Sequence, residues 1–563
     1  MGRSIANRFL SFACGLMLVG VGLVSAQPAP KPFDLPTALP PGPSTWLLGQ
    51  SYGNTIGAFL RGDDWYSAGQ RLHFGIDLSM PCGTPLVAVA DGEVMFVDDM
   101  GFGAGPHNLL LRHAEAERVT LYGHLLERPL LVPGQHVQRG EVVGLSGDPD
   151  GTCDSRPHLH FEVRALNYFT AYNPVDYIEA NWHALAAIGS FSYPMFQQDL
   201  ENARRWLSLD DQPPVAFGGA ALNRYAAPHP DLRHGAAPQV APPLRSVAPP
   251  PPDSVWQFQP IAFSGCCANA TWHPSDPGRI LLIDGTPNQR ATALAWTPSA
   301  DNPISVMGQA PMPRLSADGS HQLVTANGQT TIRRLADNTE WTVAAGGVPP
   351  ALNLDNTRLL WQVASQVTLP GEAAPLVEIW TSAADGSNPR QITAQPRAAA
   401  YWLDAHRVLV SSRTGIRTTL IIFDLANDDA FVLGVWDWLR ELTIAPGGGR
   451  LMLYTVYAED PAANGIHTIT TQTGAQQQTL PWFGAWRWRD ADSVYYLPFD
   501  PSAPLHTLAY YHIPTGESRL LTDPATQPFQ VANGDWAVSP DGQQVVFWNA
   551  ADLTTWLLTP TGR

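Results

Sequence analysis

The chain has 563 residues, which is too long for a single compact core and predicts about three folded units. Hydrophobic residues make up 44% of it and charged residues only 15%, a composition typical of folded domains. The formal net charge of -17 excludes nucleic acid as an expected partner, because binding to phosphates needs a basic surface that this composition lacks.

The N-terminus has the pattern of a secretory signal. Arg3 and Arg8 precede an apolar run, and small residues at 24–26 follow it. We therefore expect residues 1–26 to be a signal peptide cleaved after Ala26, and the protein to be extracytoplasmic. An uncleaved membrane anchor is the alternative, but the run of about 16 residues is short for spanning a bilayer. Residues 27–46 are rich in proline and predict an extended tether.

Two short stretches together predict a metal site. His73 and Asp77 are four residues apart, a spacing that lets both side chains approach one ion. In an extended strand over 158–164, His158 and His160 share one face while the apolar residues between them face a core. A hydrolytic zinc site takes about three N or O ligands and keeps one position for water. His73, Asp77 and one of the two later histidines supply that set.

The remaining histidine of that pair is then available for chemistry. His124, in the short apolar stretch Leu121-Tyr-Gly-His-Leu125, offers a second imidazole that need not bind the metal. Two imidazoles beside a metal-activated water can accept its proton and stabilise the oxyanion that forms. Each motif alone is common in proteins, so the prediction depends on their order along the chain.

Residues 47–180 resemble the lysostaphin-type (LytM-like) zinc endopeptidases, secreted enzymes that cut peptide bonds in peptidoglycan. The shared motifs are His73-Phe-Gly-Ile-Asp77, Gly83-Thr-Pro85, Ala90-Asp-Gly92, Tyr122-Gly-His124-Leu125, a hairpin over 137–147 and His158-Leu-His160-Phe-Glu162-Val. The resemblance implies a small antiparallel β domain, one Zn²⁺ per chain and peptidoglycan peptides as substrates.

The same resemblance assigns roles to the five residues. It makes His73, Asp77 and His160 the zinc ligands, and His124 and His158 the catalytic pair. The chain departs from the family pattern at 153–157, where Cys-Asp-Ser-Arg-Pro replaces a small Ser-Thr-Gly run. This departure bears on substrate preference more than on catalysis.

Four cysteines remain after the predicted signal peptide, and they allow three disulfide connectivities. Cys82 follows Asp77 by five residues and Cys153 precedes His158 by five, so a folded metal site would bring their loops together. We favour a bridge between Cys82 and Cys153. A vicinal pair at 266–267 and free buried thiols are the alternatives.

The segments after the peptidase motifs carry no signal for chemistry. Residues 181–208 have mixed periodicity that predicts a short helical extension. Residues 209–255 are rich in proline and alanine and predict a semi-rigid linker, so the flanking domains should be separable.

Residues 256–563 contain a weak repeat of a turn followed by an apolar strand. The copies begin at Ser316, Asn353, Trp402, Ala445, Trp488 and Ser539, with a poorer one near Trp272. Their spacing of roughly 37 to 51 residues is typical of one four-stranded propeller blade per copy. This half resembles WD-repeat-like propellers of the Tol-system type, with its tryptophans in the core between blades.

The predicted fold class is therefore mostly β, with a small antiparallel β peptidase domain followed by a six- or seven-bladed β-propeller. The leading hypothesis for function is a secreted zinc metalloendopeptidase acting on peptidoglycan peptides, with a propeller that binds or positions a protein or glycan ligand. The alternative is a non-enzymatic cell-wall regulator or scaffold built on the same domains.

Overall fold

The computed structural model describes residues 30–53, 55, 58, 70–188, 197–198, 206–219, 239–250, 255–261, 270–284, 292–297, 304–309, 314–346, 348–370 and 374–561. The predicted signal peptide and the cysteines at 266–267 lie outside these ranges. Within them, the chain forms no helix of the length and apolar character needed to cross a membrane.

The N-terminal half folds into an antiparallel β domain, as predicted. Its strands are β1 (Leu47–Gln50), β2 (Ile76–Ser79), β3 (Pro85–Val87), β4 (Gly92–Val97), β5 (Leu109–His113), β6 (Arg118–Gly123), β7 (His136–Val137), β8 (Val142–Leu145), β9 (His158–Arg164) and β10 (Thr170–Tyr172). A 3-10 turn at Met100–Phe102 and another at Pro174–Asp176 connect them. The main sheet runs β1-β2-β9-β6-β5-β4-β7, and β3 pairs separately with β8.

The strand β9 occupies the middle of this sheet and has the alternation expected from its sequence. Leu159, Phe161 and Val163 are fully buried in the domain core. The histidines lie on the other face, where His160 pairs with Asp77 of β2 and with Gly123 of β6. The apolar half of the strand therefore fixes the position of the polar half.

Residues 30–46 differ from the predicted free tether, because they pack on the antiparallel β domain, the predicted peptidase domain. Phe33 and Trp46 are buried in its core, and the backbone N–H of Asp34 donates to the carbonyl of Val89 (3.0 Å). The side chains of Phe33 and Trp46 bury enough apolar area to hold this proline-rich segment on the domain. This segment is thus an arm that covers one edge of the fold.

The segment after β10 includes one short helix among its described residues. It contains α1 (Trp182–Ala187), followed by the short strands β11 (Gln197–Gln198), β12 (Trp206–Leu207), β13 (Val215–Ala216) and β14 (Gln239–Val240). The first part of the predicted linker belongs to the peptidase domain, since β13 pairs with β10 and Asp210 accepts a hydrogen bond from His183 (2.6 Å).

The last part of the predicted linker, residues 239–250, packs on the propeller instead of spanning free solvent. The strand β14 pairs in parallel with an inner strand at Tyr401–Trp402. Arg245 then donates to the carbonyls of Ser539 (3.1 Å), Pro540 (2.6 Å) and Trp488 (3.0 Å). Every residue has a backbone carbonyl that can accept a hydrogen bond from arginine. The proline-rich sequence therefore gave no sign of this contact.

The C-terminal half is a β-propeller with seven blades among the described residues, which decides between the six and seven predicted. Its strands are β15 (Val255–Ile261), β16 (Thr271–His273), β17 (Asp276–Asp284), β18 (Thr292–Trp296), β19 (Ile304–Gln309), β20 (Arg314–Leu315), β21 (His321–Ala326), β22 (Gln329–Arg334), β23 (Thr339–Val343), β24 (Ala351–Leu352), β25 (Arg358–Ala364), β26 (Leu376–Ala383), β27 (Arg390–Pro396) and β28 (Ala399–Trp402). They continue as β29 (Arg407–Thr414), β30 (Arg417–Asp424), β31 (Asp429–Asp437), β32 (Leu439–Ile444), β33 (Arg450–Thr455), β34 (Gly465–Thr470), β35 (Gln477–Thr479), β36 (Gly484–Trp488), β37 (Ser493–Pro498), β38 (Ala509–His512), β39 (Glu517–Leu520), β40 (Val531–Val538), β41 (Val545–Asn549) and β42 (Thr554–Thr561).

Six blades are formed by consecutive strands from β16 to β39, and the seventh closes the ring. In that seventh blade β15, from the start of the propeller, pairs with β42 at its end. A 3-10 turn at Pro461–Ala463 lies between β33 and β34. Trp402, Trp486 and Trp548 are fully buried, as expected for tryptophans that fill the core of a propeller.

Each of the seven repeat copies forms the turn between the first and second strands of one blade. Successive turns touch around the ring: Asn356 donates to Asp318 of the preceding blade (2.8 Å), and a Cβ added at Gly448 would lie only 1.8 Å from the carbonyl oxygen of Leu403. Gly448 also has φ +70°, so the turn needs glycine for both reasons. The repeated sequence motif therefore forms the turns through which neighbouring blades contact each other at one end of the propeller.

The peptidase domain packs against the opposite end of the propeller. The contacts come from connections between second and third strands and from the start of β40. The hydrogen bonds run from Tyr457 Oη to Ser79 O (2.6 Å), from Arg413 Nη2 to Ser155 O (2.6 Å), from Asn181 Nδ2 to Pro501 O (2.8 Å) and from Leu209 N to Asn533 Oδ1 (3.0 Å). Leu47 and Ile188 are buried in the propeller's aromatic cluster. The two domains therefore share an interface that the linker prediction did not anticipate.

Candidate metal centre and catalytic histidines

Three side chains direct one electron-pair donor each at a common point. His73 Nε2 lies 3.0 Å from Asp77 Oδ1 and 3.1 Å from His160 Nδ1, and His160 Nδ1 lies 2.9 Å from Asp77 Oδ1. His73 and Asp77 are buried and His160 is half-buried, and among the described residues the three form a group with metal-ligand character. Asp77 and His160 are direct neighbours in the pairing of β2 with β9, so the sheet register brings them together.

The outer nitrogens of both histidines are engaged by oxygen acceptors. His73 Nδ1 lies 2.7 Å from the carbonyl oxygen of Ser51, and His160 Nε2 lies 2.9 Å from Glu162 Oε1. Because an acceptor holds the proton on the outer nitrogen, the inner nitrogen of each ring presents its lone pair. Glu162 is in turn bound by Arg164 Nε at 2.6 Å.

This donor set fits a zinc ion. Two imidazole lone pairs and a carboxylate oxygen repel one another at about 3 Å unless a cation lies between them. Two nitrogens and one oxygen are ligands that Zn²⁺ accepts, and three protein ligands leave a fourth position for solvent or substrate.

The buried ionisable groups of the site shift one another's pKa. Burial opposes ionisation of Asp77, but the adjacent imidazoles of His73, His158 and His160 outweigh it and hold the pKa of that carboxyl well below its usual range. Burial also disfavours the imidazolium of His160, yet hydrogen bonds to Asp77 and Glu162 raise its pKa to about 9.

His124 and His158 lie beside these three residues. Their ring centroids are 4.8 Å apart, and His158 Nε2 is 3.6 Å from Asp77 Oδ1. His124 follows the last residue of β6 and adopts φ +56°, which turns it out of the strand. The Nδ1 atoms are held by backbone carbonyls, of Gly105 for His124 and of Arg156 for His158 (2.7 Å). Both rings therefore keep Nε2 available.

The pKa of each of these two imidazoles is lowered from its usual value. Burial lowers the pKa of His124 well below its usual range, and the neighbouring His158 and His160 add to this effect. Burial likewise lowers the pKa of His158, although Asp77 opposes the shift. A neutral imidazole can accept a proton, which is what a general base requires.

The five residues singled out in the sequence lie within one site. The structure also adds partners that the sequence did not reveal, namely the carbonyls of Ser51, Gly105 and Arg156. A backbone carbonyl leaves no signature in residue type, so only the fold could reveal these contacts.

The predicted disulfide between Cys82 and Cys153 is present, with the two Cα atoms 5.9 Å apart. It joins the loop after β2 to the loop before β9, which are the two strands that carry Asp77 and His160. The bridge therefore closes a loop of 71 residues in sequence around the site.

Comparison with known proteins gives results for the peptidase half. Residues 71–175 match the model of Peptidase family M23. The chain is 41% identical over 108 residues to an uncharacterized metalloprotease of Haemophilus influenzae, and 40% identical over 94 residues to the DD-carboxypeptidase/endopeptidase Mpg of Neisseria meningitidis. These matches span 18% and 17% of this chain, and only 22% and 20% of those two proteins.

Among solved structures, the catalytic domain of the antimicrobial peptidase lysostaphin from Staphylococcus simulans aligns at 25% identity with a TM-score of 0.19. That alignment covers 23% of this chain and 89% of the lysostaphin domain. The chain thus combines an M23 peptidase domain with a seven-bladed β-propeller.

Proposed function

We propose that the protein is an extracytoplasmic zinc metalloendopeptidase that hydrolyses peptide bonds of peptidoglycan. The observation that carries this proposal is the convergence of His73, Asp77 and His160 beside two further imidazoles, those of His124 and His158. A non-catalytic protein has no need for two unliganded histidines next to a three-donor metal site. The similarity of residues 71–175 to metalloproteases supports the same assignment.

His73 Nε2, Asp77 Oδ1 and His160 Nδ1 would hold one zinc ion. When bound, zinc acts as a Lewis acid that lowers the pKa of water and polarises a peptide carbonyl. The outer carbonyl and carboxylate partners, Ser51 and Glu162, hold the ligand rings in the required orientation.

His124 and His158 would carry out the proton transfers. Each has its Nδ1 hydrogen-bonded to a carbonyl, which leaves Nε2 to accept a proton from the attacking water. The imidazolium formed in this way can donate a hydrogen bond to the oxyanion and pass the proton to the leaving amine. Since either ring satisfies this geometry, both are proposed as the catalytic pair.

The extracytoplasmic location is supported by the Cys82–Cys153 disulfide, because such bridges persist in oxidising compartments. Relatives that are named as a DD-carboxypeptidase/endopeptidase and as a glycyl-glycine endopeptidase support a peptide substrate, which we propose to be that of peptidoglycan. The propeller, which touches the ends of β2 and β9, would position these substrates.

Digestion of purified peptidoglycan tests this proposal. The zinc-loaded full-length protein should release peptide fragments with new amino termini, detected by mass spectrometry, and a chelator should stop the reaction. A His160→Ala variant provides the matched inactive control. A zinc-loaded wild-type protein that releases no fragment from any wall preparation would contradict the proposal and favour a non-enzymatic regulator.

A further inference from the structure

The propeller end that faces the peptidase domain carries a cluster of arginine and aromatic side chains with excess positive charge. We call it the arginine pocket and define it by Arg413, Trp438, Arg440 and Tyr457. Arg413 ends the second strand of one blade, and Trp438 and Arg440 begin the next blade, whose second strand leads to Tyr457. The guanidinium carbon of Arg440 lies 5.5 Å from the ring centroid of Trp438 and 5.8 Å from that of Tyr457.

This pocket is attached to the catalytic strands. Tyr457 donates its hydroxyl hydrogen to the carbonyl of Ser79, and Ser79 pairs with the catalytic candidate His158. Arg413 donates to the carbonyl of Ser155, three residues before His158. Ser79, which Tyr457 contacts, is two residues after the candidate ligand Asp77 in β2. Two residues along a strand span roughly 7 Å.

The charge of Arg440 is not neutralised by the described part of the chain. Its Nε and Nη2 atoms are buried without a hydrogen-bond partner among the described residues. The charge acting on the adjacent carboxylate, Glu441, is that of Arg487. Other arginines of the propeller are paired, for example Arg407 with Asp404 (2.6 Å) and Arg417 with Asp437 (3.1 Å).

Arg413 shares this excess of positive charge. Burial, together with the neighbouring guanidinium groups of Arg440 and Arg397, lowers the pKa of Arg413 to about 10. The negative charge acting on it is that of Asp148, from the peptidase domain. Unpaired buried charge is costly in a folded protein, so a cluster of this kind favours binding of an anion.

We propose that the arginine pocket binds a carboxylate of the peptide substrate and so selects peptides that carry a free acid group near the scissile bond. This inference rests on the proposed peptidase function, and it adds the propeller as a specificity element. A guanidinium matches a carboxylate with two parallel hydrogen bonds, and the flanking aromatic rings hold Arg440 in place. Arg440 and Trp438 are half-buried, so part of each side chain reaches solvent.

Equilibrium binding separates this pocket from the metal site. The probes are acetyl-pentaalanine with a free C-terminal carboxylate and the same peptide with a C-terminal amide. Binding is measured by calorimetry on the full-length protein at low salt. A chelator is present so that zinc cannot bind the peptide carboxylate. The wild-type protein should bind the free acid at least tenfold more tightly than the amide.

Variants then assign the preference to Arg440. Arg440→Gln should bind both peptides equally, and Arg440→Lys should retain part of the preference because it keeps the charge without the planar fork. Arg417→Gln is the matched control and should behave as wild type. Arg417 lies at the same end of the propeller but forms an ion pair with Asp437. Arg413→Gln provides a second variant with the same expected loss if Arg440→Gln does not fold.

Two outcomes would overturn the pocket: equal binding of acid and amide by the wild-type protein, or a preference that survives in Arg440→Gln. Steady-state kinetics of the zinc-loaded protein distinguishes this failure from failure of the proposed function. If peptidoglycan is hydrolysed but acid and amide peptides share one KM, the pocket is wrong and the peptidase assignment stands. If the acid binds selectively but neither peptides nor peptidoglycan are hydrolysed, the pocket stands and the peptidase assignment is wrong.

Discussion

The peptidase domain and the propeller use buried polar side chains in different ways. In the peptidase domain they converge, since five histidine and aspartate side chains meet at one place between β2, β6 and β9. In the propeller they are distributed, with one polar turn per blade repeated around the ring, as at Asp318 and Asp404. Polar side chains that converge on one point indicate a reactive site, whereas polar turns repeated in every blade indicate a structural role. The propeller can influence the site through the interface between the two domains.

The largest expected effect concerns the disulfide, which stabilises the peptidase domain alone. A bridge across 71 residues stabilises by roughly 4 kcal/mol in the chain-entropy model. The double variant Cys82→Ala/Cys153→Ala should therefore lower the free energy of unfolding of the peptidase domain by about that amount, measured by denaturant titration. Equal unfolding midpoints for the oxidised wild type and the double variant would show that the bridge contributes nothing.

The next effect separates catalysis from metal binding. His124→Ala should keep about one zinc per chain but lower peptide hydrolysis by roughly a hundredfold or more, because it removes a proton acceptor or an oxyanion donor. His136→Ala, an exposed histidine of β7, is the control and should retain full activity. Full activity in His124→Ala would remove the proposed mechanism.

The third prediction concerns the pH dependence of stability, which His506 of the propeller should influence. His506 is buried, and its Nδ1 accepts a hydrogen bond from Val531 N (2.9 Å), while its Nε2 has no partner among the described residues. Burial, reinforced by His183, lowers its pKa to about 3. The unfolded chain takes up a proton near pH 6.5 and the folded chain does not, so stability is lost as the pH falls from about 6.5 towards 3.

At pH 5 this difference amounts to roughly 2 kcal/mol from His506. His506→Gln should therefore show a smaller fall in Tm between pH 7.5 and pH 5 than the wild type. His512→Gln, a histidine bonded to the hydroxyl of Thr515 in an exposed turn, should change nothing. The same acid sensitivity in His506→Gln and wild type would mean that His506 is protonated in the folded protein.

The smallest effect probes the contact between the domains directly. Tyr457→Phe removes the hydrogen bond to Ser79 and should cost about 1 kcal/mol. Hydrogen exchange should show faster opening at β2. Tyr496→Phe, which loses a bond to Ser518 within a single blade, should leave β2 unchanged. Unchanged exchange at β2 in Tyr457→Phe would indicate that the domains are energetically independent.

The sequence was sufficient for features that depend on local pattern. The alternation of His158, His160 and Glu162 with apolar residues predicted both the strand and its polar face. The offsets of Cys82 and Cys153 from the metal motifs predicted the bridge. The repeated turns predicted the blades, because each turn copy marks the same position in its sheet.

Features that depend on contact between folded surfaces were not predictable. The arm at Phe33, the strand β13 and the bonds from Tyr457 and Arg413 join segments far apart in sequence, and no periodic pattern marks them. Proline-rich composition predicted a tether at 27–46 and a linker at 209–255. It gave no information on whether that backbone would meet a partner surface.

The central claim is the division of labour between the two histidines of β9, and paired zinc analysis tests it most directly. Metal content and hydrolysis should be measured on His160→Ala and His158→Ala prepared side by side. We predict that His160→Ala loses both zinc and activity, because a three-ligand site without one ligand binds the metal far more weakly. His158→Ala should keep about one zinc per chain and lose activity alone. Zinc lost from His158→Ala and kept in His160→Ala would contradict the account and exchange the two roles.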